Sequence, residues 1–381
     1  MTEVKAARVA VLSIFFLNGF GFANWVVRIP AVKGNLELSE GLLGVALLAV
    51  AVGSLVAMPS VGGLISRFGS RPVVWTTAML FSISLAVPAL APNLPALMAA
   101  LFLFGVAGGS LDVSMNAQAV AVEKEYRRPI MSSFHAFFSL GGLVGAVAGG
   151  LVAALGVGVA SHLFGMALLT LAAMFVACRK LLPATADVSN GGPAFARPTK
   201  ALLGLGIISF CVLVGEGAMA DWSAVYLNGT LGTGPGFAAA GFAVFSLTMT
   251  IGRFTGDWMM AKLGAKTVVR SGAAVAALGL GVSLAAGNQY LALVGFGCAG
   301  IGFSIIFPAA LSAAGNSKET PPGPALAAVA SAGYFGFLVG PPSIGFAAEL
   351  VGLGGALFIV VILSAVVVLL AGAVVKSGKP G

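Results

Sequence analysis

The sequence predicts an all-α membrane protein of twelve transmembrane helices, with both termini in the cytoplasm. Two observations support this prediction: about a dozen long apolar stretches, and a one-sided distribution of basic residues in the gaps between them. Eighteen of the twenty Lys and Arg residues fall in alternate gaps, and only Arg28 and Lys33 fall in the others. Lys and Arg accumulate on the cytoplasmic side of membrane proteins. Both terminal segments belong to the basic set, so both termini lie on that side and the number of spans is even. We therefore expect a multi-pass protein of a bacterial-type cytoplasmic (inner) membrane.

The composition agrees with a membrane protein. The chain is 59% hydrophobic and 8% charged, with a mean hydropathy of +1.05, whereas soluble domains are roughly 25% charged. The net charge of +8 is spread over several short loops, so it is read as a topology signal and no nucleic-acid partner is expected. The three cysteines, Cys178, Cys211 and Cys298, lack metal-ligand spacing. We expect neither a metal site nor a cofactor.

A bilayer core about 30 Å thick requires ~20 apolar residues per helix. On this basis the predicted spans lie near residues 8–30, 41–64, 72–91, 96–120, 130–154, 160–179, 201–227, 236–260, 267–286, 290–313, 325–348 and 353–375. The longest gap is rich in Pro, Ser, Asn, Gly and Ala, as linkers between domains are. We therefore predict an N-terminal six-helix bundle over 1–183, a cytoplasmic linker over 184–199 and a C-terminal six-helix bundle over 200–381.

The two predicted bundles resemble each other in sequence. Three short segments recur in the same order, at offsets of 197, 195 and 192 residues: Ala23–Trp25 and Ala220–Trp222, Gly69–Val74 and Gly264–Val269, Gly105–Gly108 and Gly297–Gly300. Transporters built from six-helix repeats bind their substrate between the repeats near the membrane midplane and work by alternating access. The repeat therefore predicts pseudo-symmetric bundles and a secondary transporter.

The loop after the second predicted span resembles a known family signature. Residues Gly62–Arg71 are similar to the Gly-x-Leu-x-Asp-Arg-x-Gly-Arg-Arg motif of the major facilitator superfamily, with Ser66 at the acidic position. The resemblance implies the fold of that family and a cytoplasmic gate held by charges. Candidate gating residues on this side are Arg67, Arg71, Arg253 and Asp257. Loss of the acid at Ser66 shifts the expected charge pairing onto Arg253 and Asp257; alternatively, Arg67 and Arg71 only set topology.

Within the superfamily, two segments resemble narrower groups. Leu111–Asn116 is similar to the Leu-Glu-x-x-x-Asn segment of the fucose–proton symporters, and Gly215–Ser223 is similar to the YbjJ-like branch. In the symporters the span 4 acid binds the proton, and that position is Asp112 here. A second symporter acid, four residues before a proline in span 1, is replaced by Val26. The resemblance therefore implies a mechanism more firmly than a fucose-like substrate.

Two acids lie near the middle of apolar spans, where charges are costly. A charged side chain at the bilayer centre costs ~2.5–3.5 kcal/mol even on the lenient insertion scale, so it usually marks a transport pathway or proton relay. Asp112 has Asn116 four residues later on the same helical face. Glu216 is the corresponding candidate in span 7. We assign proton coupling to Asp112 and Glu216, the alternative for Asp112 being a structural carboxyl bonded to neighbouring polar groups.

Other polar and aromatic residues complete the predicted site. Asp221 points some 140° away from Glu216 around the helix, so it is expected to pair with Arg28 as an external latch, or simply to stabilise the fold. Trp and Tyr rings stack on apolar faces of sugar-like solutes, although the same residues also favour membrane interfaces. The predicted substrate-binding residues are Asn18, Asn24, Trp25, Asn116, His135, Trp222, Tyr226 and Tyr334.

Several functional classes compete. Proton symport of a small polar solute is favoured, and a proton-coupled exporter of drugs or metabolites is the alternative. Exporters of the superfamily carry a proline in span 5 at the position of Ala146, so this residue weakens the exporter alternative. A non-transporting membrane sensor would usually carry a long soluble segment. An enzyme is not expected, because His135 and His162 lack metal spacing and no catalytic set is evident. We expect a monomer in the lipid bilayer, with the solute and protons as its partners.

Overall fold

The computed structural model describes residues 2–128, 130–183, 200–317 and 320–376, and helices account for most of them. In this part of the chain, eleven helical segments are long and apolar enough to cross a membrane, judged by length and composition. A shorter apolar helix, Phe358–Leu370, lies near the C-terminus. The structure is that of an all-helical multi-pass membrane protein.

The chain divides into two compact units. The first comprises residues 1–189 together with 234–243, and the second comprises residues 190–233 together with 244–381. The predicted linker, 184–199, lies outside the described residues, so its boundaries stay predictions. One difference from the predicted division is that the first residues of the eighth apolar segment group with the first unit.

The first unit contains the N-terminal apolar helices. They are α1 (Thr2–Val26), α2 (Ile29–Asn35), α3 (Glu40–Phe68), α4 (Ser70–Ser84), α5 (Leu94–Tyr126), α6 (Met131–Ala154) and α7 (Val159–Cys178). A 3₁₀ turn, Val87–Leu90, extends the apolar segment of α4 to Leu90. Pro30 in the first turn of α2 starts a new short helix, because proline fits the first helical turn but not a helix interior.

The second unit repeats this plan. Its helices are α8 (Lys200–Val225), α9 (Pro235–Leu263), α10 (Ala265–Ala286), α11 (Gln289–Phe303), α12 (Ile306–Gly315), α13 (Pro322–Ala356), α14 (Phe358–Leu370) and α15 (Ala373–Lys376). The part of α9 up to residue 243 belongs to the first unit. A π-helical turn, Tyr226–Thr230, continues α8. The apolar segment predicted near 290–313 is one stretch interrupted at Ser304 and Ile305. Within α13, Gly352 is non-helical, with φ 73° and ψ 159°, so the chain bends there.

Turns and caps recur at equivalent places in the two units. Gly69 ends α3 with φ 78° and ψ 163°, and Gly264, 195 residues later, precedes α10 with φ 77° and ψ 149°. Positive φ is the region that glycine adopts without a steric penalty. Asn93 caps α5 through Ala96 N at 3.0 Å, and Asn288, again 195 residues later, caps α11 through Tyr290 N at 2.9 Å. The repeat seen in the sequence is therefore also a repeat of local structure.

Close helix contacts fix the register of the repeat. A Cβ on Gly105 would collide with the backbone of Val50, and one on Gly300 would collide with the backbone of Phe245. Gly105 and Gly300 are 195 residues apart, and so are their contacts Val50 and Phe245. Gly297, which the sequence matched to Gly105 at an offset of 192, instead faces Val244 and Thr248. The sequence alignment of these two helices was therefore wrong by three residues, and Asp112 corresponds to Phe307 instead of Ser304.

The same correction applies to α1 and α8. Gly141 of α6 lies against Phe16 of α1, and Gly336 of α13 lies against Phe210 of α8. This contact relates α1 to α8 at an offset of 194, whereas the sequence comparison used 197. At the structural offset Glu216 corresponds to Phe22. Each of the two proton-coupling candidates therefore occupies a position that holds phenylalanine in the other unit.

Candidate functional site

The first-unit candidate site centres on Asp112 in the middle of the long apolar helix α5. Asn116 Nδ2 donates to the Asp112 carboxylate at 3.2 Å and to the Asp112 carbonyl at 2.8 Å. Both side chains are half-buried. The prediction that they share one helical face is confirmed. A carboxylate held by an amide in this way can exchange a proton while keeping a neutral hydrogen-bond partner.

Two neighbouring helices bring further predicted residues to this region of the first unit. Asn18 on α1 is buried and donates to Met115 Sδ at 3.6 Å, beside Asn116 on α5. His135 on α6 is half-buried, with its ring edge-on to Phe15 of α1 at a centroid distance of 5.4 Å. Helices α1, α5 and α6 thus place Asn18, Asn116 and His135 among packed helices of one unit.

The second-unit candidate site is an ion pair between two helices. Arg253 Nη2 on α9 lies 3.6 Å from Glu216 Oε2 on α8, and each side chain is only 16% exposed. The sequence had paired Arg253 with Asp257, four residues later on the same helix. Asp257 is exposed, and the ion pair of Arg253 is made across to α8. Glu216 was predicted from its depth in the span, but its partner was not.

The predicted aromatic residues divide into two groups. Trp25, Trp222 and Tyr226 are buried, at 2%, 0% and 2% exposure. Tyr226 packs edge-on against Phe296 at 6.4 Å. Their predicted contact with a solute stays a prediction. Tyr334 is half-buried, with its ring 6.4 Å from that of Phe337.

A buried polar network that the sequence analysis missed lies in the first unit. Arg28 Nε donates to His162 Nδ1 at 2.6 Å, and Arg28 Nη2 donates to the Val157 carbonyl at 2.8 Å. His162 Nε2 lies 2.8 Å from Asn24 Oδ1, and Asn24 Nδ2 donates to the Phe20 carbonyl at 2.8 Å. Because Nδ1 accepts from a guanidinium, Nε2 carries the proton and donates to Asn24.

This network changes the interpretation of two predicted residues. Asn24 is 0% exposed and Arg28 is 5% exposed, and both are engaged within their own unit. Asn24 is hydrogen-bonded within this network, and its contact with a solute stays a prediction. The predicted pairing of Arg28 with Asp221 would join residues of different units, and it stays a prediction. The signal for His162 in the sequence was a lone histidine in an apolar span.

The motif Gly62–Arg71 spans the end of α3 and the start of α4. It contains no acid, and its residues make the following contacts. Arg67 lies over the ring of its neighbour Phe68 at 5.1 Å. Arg71 Nη2 donates to the Arg179 carbonyl at 3.5 Å, and Ser66 Oγ donates to the Gly63 carbonyl at 2.8 Å. The contacts given for Arg67 and Arg71 are thus with a ring and a carbonyl group, and their role at a cytoplasmic gate stays a prediction.

The described residues contain no group of three or more His, Cys, Asp or Glu side chains arranged to hold a metal ion. What the arrangement offers chemically is two separate sites inside apolar helices, one with an amide-bound carboxylate and one with an ion pair. Ionisable groups inside apolar helices are rare, and they often mark transport pathways or proton relays.

Comparisons with known proteins place the chain in a family. Residues 11–322 match the family model of the Major Facilitator Superfamily. The chain is 37% identical over 339 residues to an uncharacterized MFS-type transporter of Yersinia pestis, covering 88% of this chain and 87% of the relative. It is 34% identical over 360 residues to an uncharacterized transporter of Sinorhizobium fredii, covering 94% and 95%.

The fold is also similar to solved structures. The crystal structure of the nucleoside transporter NupG superposes with a TM-score of 0.72 at 16% identity, covering 98% of this chain and 100% of that one. At this level of identity the likeness concerns the fold alone. The match to the family model and the sequence relatives lead to one conclusion, with which the fold agrees: the chain belongs to the Major Facilitator Superfamily.

Proposed function

We propose that the chain is a secondary active transporter of a bacterial-type cytoplasmic membrane, which moves a small polar solute together with protons. Its solute site is exposed alternately to the two sides of the membrane. The family assignment and the transporter relatives support transport as such. In this proposal the protein works as a monomer, without a cofactor and without catalysing a covalent reaction.

The proposed topology has twelve crossings and two cytoplasmic termini. Among the described residues, eleven helical segments are long enough to cross, and the twelfth crossing would run from the bend at Gly352 through α14. The distribution of Lys and Arg supports this orientation, since Arg28 and Lys33 both lie near the short helix α2 between the first two long helices. An even number of crossings then leaves both termini on the same side.

The observation that most supports proton coupling is the Asp112–Asn116 hydrogen bond at 3.2 Å in the middle of α5. An acid is costly at this depth, and the equivalent position in the second unit is a phenylalanine, so the scaffold itself does not need the acid. Protonation of Asp112 would remove a charge from the apolar helix without removing its partner Asn116. A solute could then bind and move with one proton.

The test is proton-driven uptake into proteoliposomes containing the purified protein. We expect a pH gradient, acid outside, to drive accumulation of one or more members of a panel of sugars and small metabolites. Asp112→Asn should abolish accumulation against the gradient, while counterflow exchange of the same solute persists, because binding does not require the proton once the charge is gone. Glu37→Gln, which neutralises an exposed acid, is the matched control.

Undiminished uphill accumulation by Asp112→Asn would remove Asp112 from the coupling mechanism. Efflux driven by inward proton flow, in place of uptake, would favour the exporter over the symporter. Absence of any solute flux with all panel members, in liposomes where the protein is folded, would count against the proposed transport of sugars and small metabolites.

A further inference from the structure

Two arginines and two aromatic rings lie together where α4 begins and α7 ends, on the surface of the first unit. We propose that this α4–α7 cluster, formed by Arg71, Trp75, Phe175 and Arg179, binds an anionic phospholipid. The lipid phosphate contacts the two guanidinium groups, and the acyl chains lie along the helices past the two rings. The inference concerns the contact of the protein with the membrane and does not depend on which solute is transported.

The four side chains are ordered along the two helices. Arg71 is the second residue of α4, and Arg179 directly follows the last residue of α7. Trp75 comes four residues after Arg71 and Phe175 four residues before Arg179, so each ring shares a helix face with its arginine and lies about 6 Å further from the helix end. The two rings meet edge-on, with their centroids 5.0 Å apart. Both helices therefore present an arginine at the end and an aromatic ring one turn further in.

This order matches the polarity profile of a bilayer. Trp side chains favour the boundary between headgroups and hydrocarbon, and Arg side chains near helix ends extend towards the headgroups. The Arg179 guanidinium lies over the Phe175 ring, with Cζ 4.7 Å from the centroid. Arg71 Nη2 donates to the Arg179 carbonyl at 3.5 Å, which is a long hydrogen bond and leaves other N–H groups of Arg71 for a phosphate.

The charge of the cluster is not balanced by acids on its own helices. Neither α4 nor α7 contains Asp or Glu, and in the described part of the chain neither Arg71 nor Arg179 forms an ion pair with an acid. Lys180 adds a third positive charge beside Arg179. Guanidinium groups match the geometry of phosphate, and basic residues at the ends of membrane helices are typical of sites for anionic headgroups.

The backbone that carries Arg179 is held in place by α5. Gln118 Nε2 donates to the Leu182 carbonyl at 3.1 Å, and the Leu182 N–H donates to Gln118 Oε1 at 3.3 Å. Gln118 is 0% exposed, so this pair of hydrogen bonds is shielded from water. Because the segment after α7 is already ordered, a lipid that binds to Arg179 does not have to order it.

An exposed apolar stripe continues from the cluster along α7. Leu168, Ala172, Phe175 and Arg179 are all exposed, and their spacing of four, three and four residues places them on one helix face. An acyl chain can therefore lie along this face while the phosphate of the same lipid contacts Arg179. A free phosphate ion would leave the stripe uncovered, so we assign the site to a lipid.

Quenching of Trp75 fluorescence by brominated lipids tests the proposal at the site itself. Trp258 is also exposed, whereas Trp25 and Trp222 are buried, so the parent for the measurement is Trp258→Phe. It is reconstituted in phosphatidylcholine with increasing mole fractions of brominated phosphatidylglycerol or brominated phosphatidylcholine, and Trp75→Phe/Trp258→Phe supplies the background. A basic residue near an anionic membrane surface favours binding by about fivefold, so we expect phosphatidylglycerol to bind near Trp75 about fivefold or more tightly than phosphatidylcholine.

In the same background, Arg71→Gln/Arg179→Gln should bring the ratio of the two binding constants close to one. The matched control is Lys266→Gln/Arg270→Gln, which removes two positive charges from exposed positions near the start of α10 and should leave the ratio unchanged. Because each ratio compares two lipids on one protein, a change in the overall accessibility of Trp75 cancels.

Equal binding of the two lipids by the parent would overturn the inference. The same holds if Arg71→Gln/Arg179→Gln keeps the preference for phosphatidylglycerol, since the arginines would then not be its source. An equal loss in both double variants would show that the net charge of the protein, and not the α4–α7 cluster, attracts the lipid.

Discussion

Removal of the His162 side chain is the perturbation whose cost follows most directly from the structure. His162→Ala deprives Arg28 Nε of its acceptor, now at 2.6 Å, and Asn24 Oδ1 of its donor, now at 2.8 Å. A hydrogen bond to a charged group contributes about 1.5–3 kcal/mol and a neutral one about 1 kcal/mol. Since Arg28 and Asn24 are 5% and 0% exposed, water cannot readily replace the ring. We expect a loss of about 3 kcal/mol.

For a unit of this size a change of 1 kcal/mol shifts the thermal midpoint by about 2–4 °C, so His162→Ala should lower it by about 6–12 °C. The assay is thermal unfolding of the purified protein in detergent, followed by circular dichroism at several scan rates. His162→Gln should recover part of the loss, because its amide has an acceptor for Arg28 and a donor for Asn24.

Lys33→Ala is the control for a general effect of mutation. Its ion pair with Glu40, at 3.1 Å, joins side chains that are 23% and 33% exposed, and pairs of this kind contribute about 0–1 kcal/mol. A midpoint for His162→Ala within the range of Lys33→Ala would refute the network as a source of stability. Equal midpoints for His162→Ala and His162→Gln would show that lost ring volume, and not hydrogen bonding, accounts for the effect.

Two further substitutions test the packing and the end of the first unit. Gly105→Ala places a Cβ against the backbone of Val50 and should cost about 1–3 kcal/mol through overpacking. Gly62→Ala, which has open space around it, should be nearly neutral. Equal thermal unfolding midpoints for the two variants would contradict the close contact at Gly105. Gln118→Ala removes two hydrogen bonds to the backbone of Leu182, at 3.1 and 3.3 Å, so hydrogen exchange at the Leu182 amide should accelerate, and unchanged exchange would mean that the amide is protected by other contacts.

The membrane architecture could be predicted from sequence because its determinants are local. Each apolar stretch is long enough to cross the bilayer by itself, so existence and order of the helices follow from hydropathy. Helix ends were predicted less well, since short elements depend on single residues. Pro30 starts the short helix α2, and the bend at Gly352 places the boundary between the last two apolar segments inside α13.

The register of the internal repeat needed the structure for a geometric reason. A shift of three residues is close to one helical turn, so it keeps a glycine on nearly the same helix face. Gly297 and Gly300 are therefore equally plausible matches to Gly105 in sequence, and only the collision of a Cβ with Val50 or Phe245 distinguishes them. The contact between backbones, invisible in a single sequence, determines the alignment.

The same distinction between local and distant contacts explains the site. Asp112 and Asn116 are four residues apart on one helix, so their hydrogen bond could be predicted from spacing. The resemblance to the family motif grouped Arg253 with Asp257, four residues later on the same helix, whereas the structure shows an ion pair of Arg253 with Glu216 on another helix. Inside apolar helices an ion pair forms where both charges face away from lipid, and spacing along one helix does not say which face that is.

The corrected register gives the asymmetry between the units a functional meaning. The seams at Gly105 and Gly300, which bring helices together, are repeated in both units, as a shared scaffold requires. The acids are not repeated, because the positions that correspond to Asp112 and Glu216 in the other unit hold phenylalanine. Because one unit folds with phenylalanine at each of these positions, the fold does not require a carboxylate there. A charged side chain inside an apolar helix is costly and usually has a function. This asymmetry supports the proposal that Asp112 and Glu216 change their charge during transport.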